Sequence, residues 1–321
     1  MTVNSLLQVR VARKQVQALD IVSLDLVAMD GGALPPFTPG AHVDVHLPGG
    51  LVRQYSLCND PEGATCYRIG VLRTSPSRGG SEAVHALAEG QVLNISAPRN
   101  QFPLAAEAKH QVLVAGGIGL TPLLCMAEQL AREGKSFTLH YAVRDAERVA
   151  FRERLESAGL APHVQLHLSS DPAVQQQALA RVLASPAAGS HLYVCGPGGF
   201  MDAVLATARA AGWAADCLHS ESFTPVVEVR DTDGDFEIEI ASTGQVILVE
   251  RGQTALAALS INGVQVLSSC EQGICGTCLT GVKAGVPDHR DQYLTEEEQA
   301  ANDQFLPCCS RAKSARLVVD L

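Results

Sequence analysis

At 321 residues the chain exceeds one ordinary domain, and two or three domains are expected. A hydrophobic share of 46% with 18% charged residues supports several buried cores and argues against disorder. A formal net charge of −10 with no compensating basic patch argues against a nucleic-acid partner. The most apolar stretch, 112–127, is broken by Gly116, Gly117, Gly119 and Pro122, which argues against a membrane span.

The first hundred residues alternate with period two, as at Leu7, Val9, Val11 and at Val43, Val45, Leu47. Turn clusters such as Pro35-Pro36 and Gly49-Gly50 separate these runs, so an antiparallel barrel is predicted. Within it, Arg53-Gln54-Tyr55-Ser56 ends a strand. A flavin needs an aromatic against its ring, donors toward the ring edge, and positive charge near its phosphate. Tyr55, Ser56 and Arg53 supply those types within four positions. Further on, Arg78-Gly79-Gly80-Ser81 offers a phosphate seat of glycines, a hydroxyl and a short helix start over 81–87. Each piece alone is weak; their order before a nucleotide motif gives them weight.

From Gln111 the pattern changes to strands alternating with helices, which predicts a parallel sheet covered on both faces. The strand Val112 to Val114 runs into Gly116-Gly117-Ile118-Gly119-Leu120-Thr121-Pro122 and a helix from Leu123 to Arg132. Glycines there allow a pyrophosphate to approach the backbone and the helix dipole, and the proline suits a first helical turn. After the strand Phe137 to Tyr141, the carboxylate of Asp145 suits a ribose hydroxyl and would repel a 2′-phosphate, favouring NADH. Arg144 beside it argues the other way. The strand Leu192 to Val194 leads to Cys195-Gly196-Pro197, where a small thiol leaves room for a nicotinamide to stack. A buried core thiol is the more ordinary fate of such a cysteine.

The polar segment 224–234 is predicted to be a linker. Beyond it the charge changes: 231–321 carries 14 acidic and 6 basic side chains, a balance of −8, against −2 for the first 230 residues. Phe236, Ile238 and Ile240 alternate, a helix is predicted over 254–259, and a cysteine-rich loop follows. Cys270, Cys275 and Cys278 have the C-x₄-C-x₂-C spacing of a plant-type [2Fe–2S] site. Gly273, Gly276 and Thr277 let backbone N–H groups turn toward the sulfurs. A zinc site prefers two C-x₂-C pairs, and this loop has one. Cys308 and Cys309 compete for the fourth place; Cys308, 30 positions after Cys278 as in ferredoxins, is the expected ligand. His289, in Asp288-His289-Arg290-Asp291, reads as a turn partner, and Thr295 to Glu298 as a helix capping box. Ten cysteines with no secretion signal read as thiols or metal ligands, and a cytoplasmic location is expected.

With these motifs in hand, the chain resembles the phthalate dioxygenase reductase family over nearly its whole length. The resemblance rests on Arg53, Tyr55 to Asn59, Gly79 to Ser81, Gly116 to Pro122, Cys195 to Pro197, Glu221 to Phe223, Cys270 to Cys278, Asp288 to Asp291, and Ser310-Arg311. It implies three domains: an FMN-binding β-barrel over 1–104, an NAD-binding α/β domain over 105–226 and a β-grasp [2Fe–2S] ferredoxin domain over 232–321. Flavin contacts are implied at Arg53, Gln54, Tyr55, Ser56, Val71, Leu72, Arg73, Gly79, Gly80 and Ser81. Nucleotide contacts fall at Gly116, Gly117, Gly119, Thr121, Arg144, Asp145, Cys195, Gly196 and Pro197, with Phe223 covering the flavin face. Tyr55, Ser56, Cys195 and Phe223 would bound the hydride-transfer stack.

The implied function is an NADH-dependent reductase that passes electrons from hydride through FMN and the cluster to a Rieske-type terminal oxygenase. Such a protein needs neither nucleic acid nor membrane, and nothing demands more than a monomer. A self-sufficient NADH:acceptor reductase and a redox-sensing docking protein are the competing readings.

Overall fold

The computed structural model describes residues 6–74, 79–223, 230–268, 271, 273, 276–291 and 293–321. The chain divides into two compact units, 1–49 with 54–223, and 50–53 with 224–321.

The first unit opens with β1 (Leu7–Ala18), β2 (Ile21–Ala28), β3 (Ala41–His46), β4 (Val52–Ser56) and β5 (Tyr67–Leu72). The short helix α1 (Gly80–Ala86), β6 (Val92–Ile95) and β7 (Arg99–Asn100) follow. Strand order is β4-β3-β6-β1-β2-β5, with β7 on β3. A bridge from Leu57, just past β4, to Ile69 of β5 joins the two ends, so the sheet closes as the predicted barrel. Val9, Val11, Leu24, Leu26, Val43, Val45 and Ile69 fill its interior. The alternation of β1 fails at register shifts between Val11 and Arg13 and between Val16 and Ala18. Val16 lies between the two shifts and is 83% exposed.

Next come β8 (His110–Gly116), α2 (Leu120–Arg132), β9 (Phe137–Val143), α3 (Arg152–Leu155), β10 (Val164–Leu168), α4 (Pro172–Leu183), β11 (Ser190–Cys195), α5 (Gly198–Ala210) and β12 (Leu218–Glu221). Their sheet has the order β10-β9-β8-β11-β12, with all described pairings parallel. From β8 the chain winds first toward β10, then returns to the other side at β11. A crevice therefore opens at the carboxyl ends of β8 and β11, where such sheets bind ligands. β8 is buried from Gln111 on and β11 throughout, as strands covered by helices on both faces are. The α2 helix starts at Leu120, three residues earlier than predicted. A 3₁₀ turn, Gly117–Gly119, feeds it directly, and Pro122 still lies in the first turn, where its missing N–H has no partner to lose.

The second unit contains β13 (Phe236–Ile240), β14 (Val246–Val249), α6 (Ala255–Ile261), β15 (Thr280–Ala284), β16 (Pro287–Asp288), α7 (Glu296–Ala301), β17 (Gln304–Phe305), β18 (Arg311–Ala312) and β19 (Arg316–Val319). Its mixed sheet runs β14-β13-β19-β15-β17, with β13 and β19 parallel. Ala255, Ala258 and Leu259 of α6 pack on Ile238, Ile247, Val249, Leu317 and Val319. A helix across a mixed sheet is the predicted β-grasp arrangement. Thr254 caps α6, and Thr295 with Glu298 forms the predicted capping box on α7.

Among the described residues, no helix is long and apolar enough to cross a membrane.

Candidate active site and cluster loop

Three carboxyl ends of the parallel sheet meet one edge of the barrel around a cavity of about 780 Å³. Gly116, Gly117 and Ile118 enter it from the end of β8, Ala142 to Arg144 from β9, and Pro197, Gly199 and Phe200 from the turn after β11. The barrel contributes Leu19 to Ile21 and Leu72 to Thr74. Glycine is required where these elements touch. A Cβ on Gly119 would collide with the carbonyl of Cys195, and one on Gly116 would lie 2.8 Å from the Phe200 ring. On the barrel side, a Cβ on Gly70 would meet the Thr121 methyl at 2.8 Å.

Four of the predicted nucleotide residues, Gly116, Gly117, Arg144 and Pro197, line this cavity. Gly119 and Thr121 are buried beneath it, and the Thr121 hydroxyl donates to Ile118 O at 3.1 Å. Gly196 backs onto Gly116 and Phe200. Asp145 stands just after the strand end that lines the cavity. It caps a 3₁₀ turn, accepting from the Arg148 backbone N–H and pairing with the Arg148 guanidinium at 3.3 Å, while Arg144 and Arg148 are the side chains that line the cavity.

On the flavin side, β4 delivers Gln54, Tyr55 and Ser56, while β5 delivers Val71 and Leu72. Arg53 groups with the second unit, and its guanidinium donates to Val52 O at 2.8 Å. Gly79, at φ +82°, is the N-cap of α1, and Gly80 is buried in its first turn. The Ser81 hydroxyl accepts from the Thr74 N–H at 3.2 Å, and Arg73 pairs with Asp20 at 2.8 Å. The first contact joins the end of β5 to the start of α1, and the second ties it to the turn between β1 and β2. Arg78 lies outside the described residues. Phe223 is 43% exposed.

The least expected contact involves Glu221, the last residue of β12. The Ser56 hydroxyl donates to its Oε2 at 3.1 Å. Glu221 stands opposite Cys195 in the β11–β12 register. Its carboxyl is enclosed, and burial pushes its pKa up to about 7 even though the Ser56 hydrogen bond pulls it down. Cys195 is fully buried, and burial together with the Glu221 charge raises its thiol far above the ordinary range. It is a neutral sulfur at every relevant pH.

In the second unit, Cys278 and Cys308 are each 2% exposed and pack with Leu256, Leu294 and Leu306. The two side chains belong to the same packed cluster. Two thiolates bound to one tetrahedral metal at about 2.3 Å stand under 4 Å apart, so this placement fits two ligands of one iron. Gly273 and Gly276 have φ of +74° and +70°, a backbone region open to glycine, and Glu271 shares it at +55°. Such turns bend a short loop around a compact group. Cys270 and Cys275 lie outside the described residues. Within what is described, the donors fit a [2Fe–2S] group.

Comparison with known proteins agrees with this architecture. Residues 96–218 match the N-terminal domain of dimethylamine monooxygenase subunit DmmA-like proteins, and residues 238–313 match the 2Fe-2S iron-sulfur cluster binding domain. The chain is 53% identical over 317 residues to vanillate O-demethylase oxidoreductase of Pseudomonas sp. (strain HR199 / DSM 7063), covering 98% of this chain and 100% of that one. It is 38% identical over 320 residues to phthalate dioxygenase reductase of Burkholderia cepacia, covering 99% and 98%. The solved structure of phthalate dioxygenase reductase, described as modular for electron transfer from pyridine nucleotides to [2Fe-2S], superposes with a TM-score of 0.74 at 39% identity. That match covers 99% of this chain and 98% of the other. A barrel, a parallel sheet with its glycine loop and a cluster-binding β-grasp unit, in that order, are thus shared end to end. The chain is an oxidoreductase and belongs to the phthalate dioxygenase reductase family.

Proposed function

We propose that the protein takes hydride from NADH onto FMN and passes electrons one at a time through a [2Fe–2S] cluster to a separate Rieske-type oxygenase. The observation that carries this reading is the cavity shared by the nucleotide loop and the barrel edge, beside the Ser56, Cys195 and Glu221 group. FMN, when bound, supplies the conversion from a two-electron donor to a one-electron acceptor.

In this reading the chain divides as 1–104, 105–226 and 232–321. Tyr55, Ser56 and the Val71 to Arg73 strand end hold the isoalloxazine edge, with Gln54 and Arg53 alongside. Gly79, Gly80 and Ser81 seat the phosphate. The loop Gly116 to Thr121 brings backbone to the nucleotide pyrophosphate, Arg144 lies toward its adenosine half, and Asp145 fixes Arg148 there. Gly196 and Pro197 shape the turn that keeps Cys195 close. Cys195, being neutral and small, leaves room for a nicotinamide without adding charge beside it. The Ser56 hydroxyl, tied to Glu221, is held in one orientation toward the ring edge. Phe223 excludes water from the open face until the nucleotide displaces it. Cys270, Cys275, Cys278 and Cys308 hold the cluster.

Purified protein should contain FMN, iron and inorganic sulfide, and should reduce cytochrome c with NADH. Removal of the residues after Asp231 should abolish that reduction while NADH still bleaches the flavin. Product formation only in the presence of a cognate oxygenase separates this function from a self-sufficient reductase. Colourless protein, or yellow protein without iron and sulfide, would overturn the reading.

A further inference from the structure

The helix α2, which begins at the glycine loop, lies along the stretch of chain that follows β4. Cys125, Glu128 and Arg132 share the face turned toward it, as their helical spacing requires. The Cys125 thiol donates to Asn59 O at 3.1 Å, and Arg132 pairs with Asp60 at 3.1 Å. Glu128 reaches the same stretch through an arginine of α3. It accepts from Arg154 Nε and Nη2, each at 2.7 Å, and the same Nη2 donates to Cys58 O. Cys58 in turn donates its N–H to Arg68 O of β5 at 2.8 Å. One guanidinium therefore links the nucleotide-loop helix to both barrel strands that hold the flavin edge in the proposed reading.

The setting of Arg154 is costly. Its side chain and that of Glu128 are only 19% and 20% exposed, and its Nη1 is buried with no hydrogen-bond partner among the described residues. Apolar side chains of similar volume would often stabilise such a place as well. Phe151, the N-cap of α3, is held at φ +53° and ψ +34°, a region that bulky side chains rarely adopt. Arg154 Cζ lies 5.3 Å from the centroid of its ring. The ring enters the space left by Gly70 of β5, where a Cβ would stand 2.9 Å from it. Backbone held in this way persists where its surroundings over-determine it, and it gathers at functional sites.

We propose that Arg154 is a positioning residue for hydride transfer: bridging Glu128 and the Cys58 carbonyl, with Phe151 seated at Gly70, it sets the distance between the nucleotide loop and the flavin strands. Reacting atoms must approach to about 3–3.5 Å, and a remote change that moves them by about 1 Å can cost roughly 100-fold. This inference rests on the NADH and FMN reading of the site.

The test uses the full-length protein with its cofactors, in wild-type, Arg154→Met, Arg154→Lys and Glu128→Gln forms. FMN content, NADH affinity and the rate of flavin bleaching at saturating NADH are measured. The long-wavelength absorbance of a nicotinamide stacked on the flavin is read after NAD+ is added to reduced protein. Arg154→Met should keep FMN and bind NADH within about threefold of wild type, while the limiting bleaching rate falls about tenfold or more and the stacking absorbance weakens. Lysine keeps the charge without the planar fork, so Arg154→Lys should recover only part of the rate. Glu128→Gln keeps a hydrogen bond without the charge and should lose about threefold. A limiting rate and stacking absorbance in Arg154→Met within about twofold of wild type overturn the proposal. So does a loss confined to FMN retention or NADH affinity, because Arg154 would then only support the fold. Should Arg154→Met not retain FMN, the other two variants decide: slower limiting bleaching with FMN in place supports the proposal, and unchanged bleaching overturns it. Wild-type protein whose flavin NADH does not bleach would instead remove the reading on which the proposal rests.

Discussion

Ser56 and Glu221, 165 positions apart, meet through a 3.1 Å hydrogen bond that ties the last residue of a barrel strand to the last residue of the parallel sheet. The acid is enclosed and titrates near 7, so around neutral pH it divides between its two protonation states. Hydrogen bonds to a buried charged group contribute roughly 1.5–3 kcal/mol. Ser56→Ala should therefore slow flavin reduction by NADH roughly 10- to 100-fold in stopped-flow measurements, with NADH binding little changed. A Ser56→Thr variant, which keeps the hydroxyl, should recover much of the rate. Equal loss in both would mean that the hydroxyl has only a packing role.

The same acid makes stability depend on pH, and the sign follows from its shift. Its unfolded value is 4.5 and its folded value is about 7. Between those values the native protein holds a proton that the unfolded chain has released, so stability falls as pH rises through the window. Below about 4.5 the penalty is absent; above about 7 it is complete, at roughly 3 kcal/mol or less. Glu221→Gln should flatten this slope and raise the melting temperature at pH 8 more than at pH 5. An unchanged slope in the variant would place the titration elsewhere.

Gly119 offers a sharper structural test. A Cβ there meets the Cys195 carbonyl and the Gly196 nitrogen, both backbone atoms that have no side-chain rotation to yield. Gly119→Ala should push the nucleotide loop away from the turn after β11. NADH affinity is then expected to fall at least tenfold, whereas the absorption and EPR of the cluster, held by the other unit, should be unaffected. Normal NADH affinity would show that the loop relaxes without cost.

Much of the architecture was legible because its signals are local. The glycine loop 116–119 sits between an apolar strand and a helix, and Thr295 announces a helix three residues before Glu298. The cysteine spacing belongs to the same kind of signal. What could not be read is what only the fold brings together. Glu221 looked like part of a block whose weight lay on Phe223, since nothing near an acid at a strand end reveals a serine in a distant barrel. The pairing of Asp145 with Arg148 was hidden too, because that arginine sits in an irregular turn that local pattern does not specify. The two register shifts of β1 are likewise a property of its pairing with β2, which the alternation of β1 alone does not display.

Arg290 is the charged centre of the second unit. Its guanidinium donates to both Asp233 and Asp288, and the Arg290 and Asp233 side chains are each 5% exposed. The Arg290 hydrogen bond holds Asp233 down at about 2, against 3.8 in the unfolded chain. The stabilisation is therefore complete above about 4 and is lost as pH falls toward 2. Arg290→Met should cost roughly 3–5 kcal/mol, because it removes the cation that both carboxylates hydrogen-bond and leaves only Arg311, 3.9 Å from Asp233. Cluster absorbance followed against temperature should show this as a lower melting point, while flavin release from the first unit keeps its own midpoint. Paired loss of both transitions would contradict the assignment of this ion pair to the second unit alone.

The charge balance of that unit bears on its acceptor. Of the six basic side chains in 231–321, five are engaged: Arg251 pairs with Asp231, Lys283 with Asp320, Arg290 with Asp233, and Arg316 with Glu237 and Glu239, while Arg311 donates to backbone carbonyls and lies 3.9 Å from Asp233. The surplus of acid is then carried by groups such as Glu296 and Glu297, exposed on the first turn of α7. Tyr293, two residues before that helix cap, is 47% exposed and packs over Gly276 of the cluster loop. An acidic rim beside an exposed aromatic at the cluster suits an acceptor with a basic face, steered over a Debye length of about 10 Å at 0.1 M salt. Electron transfer to the oxygenase should therefore slow as ionic strength rises from 20 to 300 mM, chiefly through association, with NADH-to-flavin transfer little affected. Glu296→Lys with Glu297→Lys should reproduce the slowing at low salt and remove most of the salt dependence. Turnover with the partner that ignores both salt and charge reversal would show that association is driven by apolar contact alone.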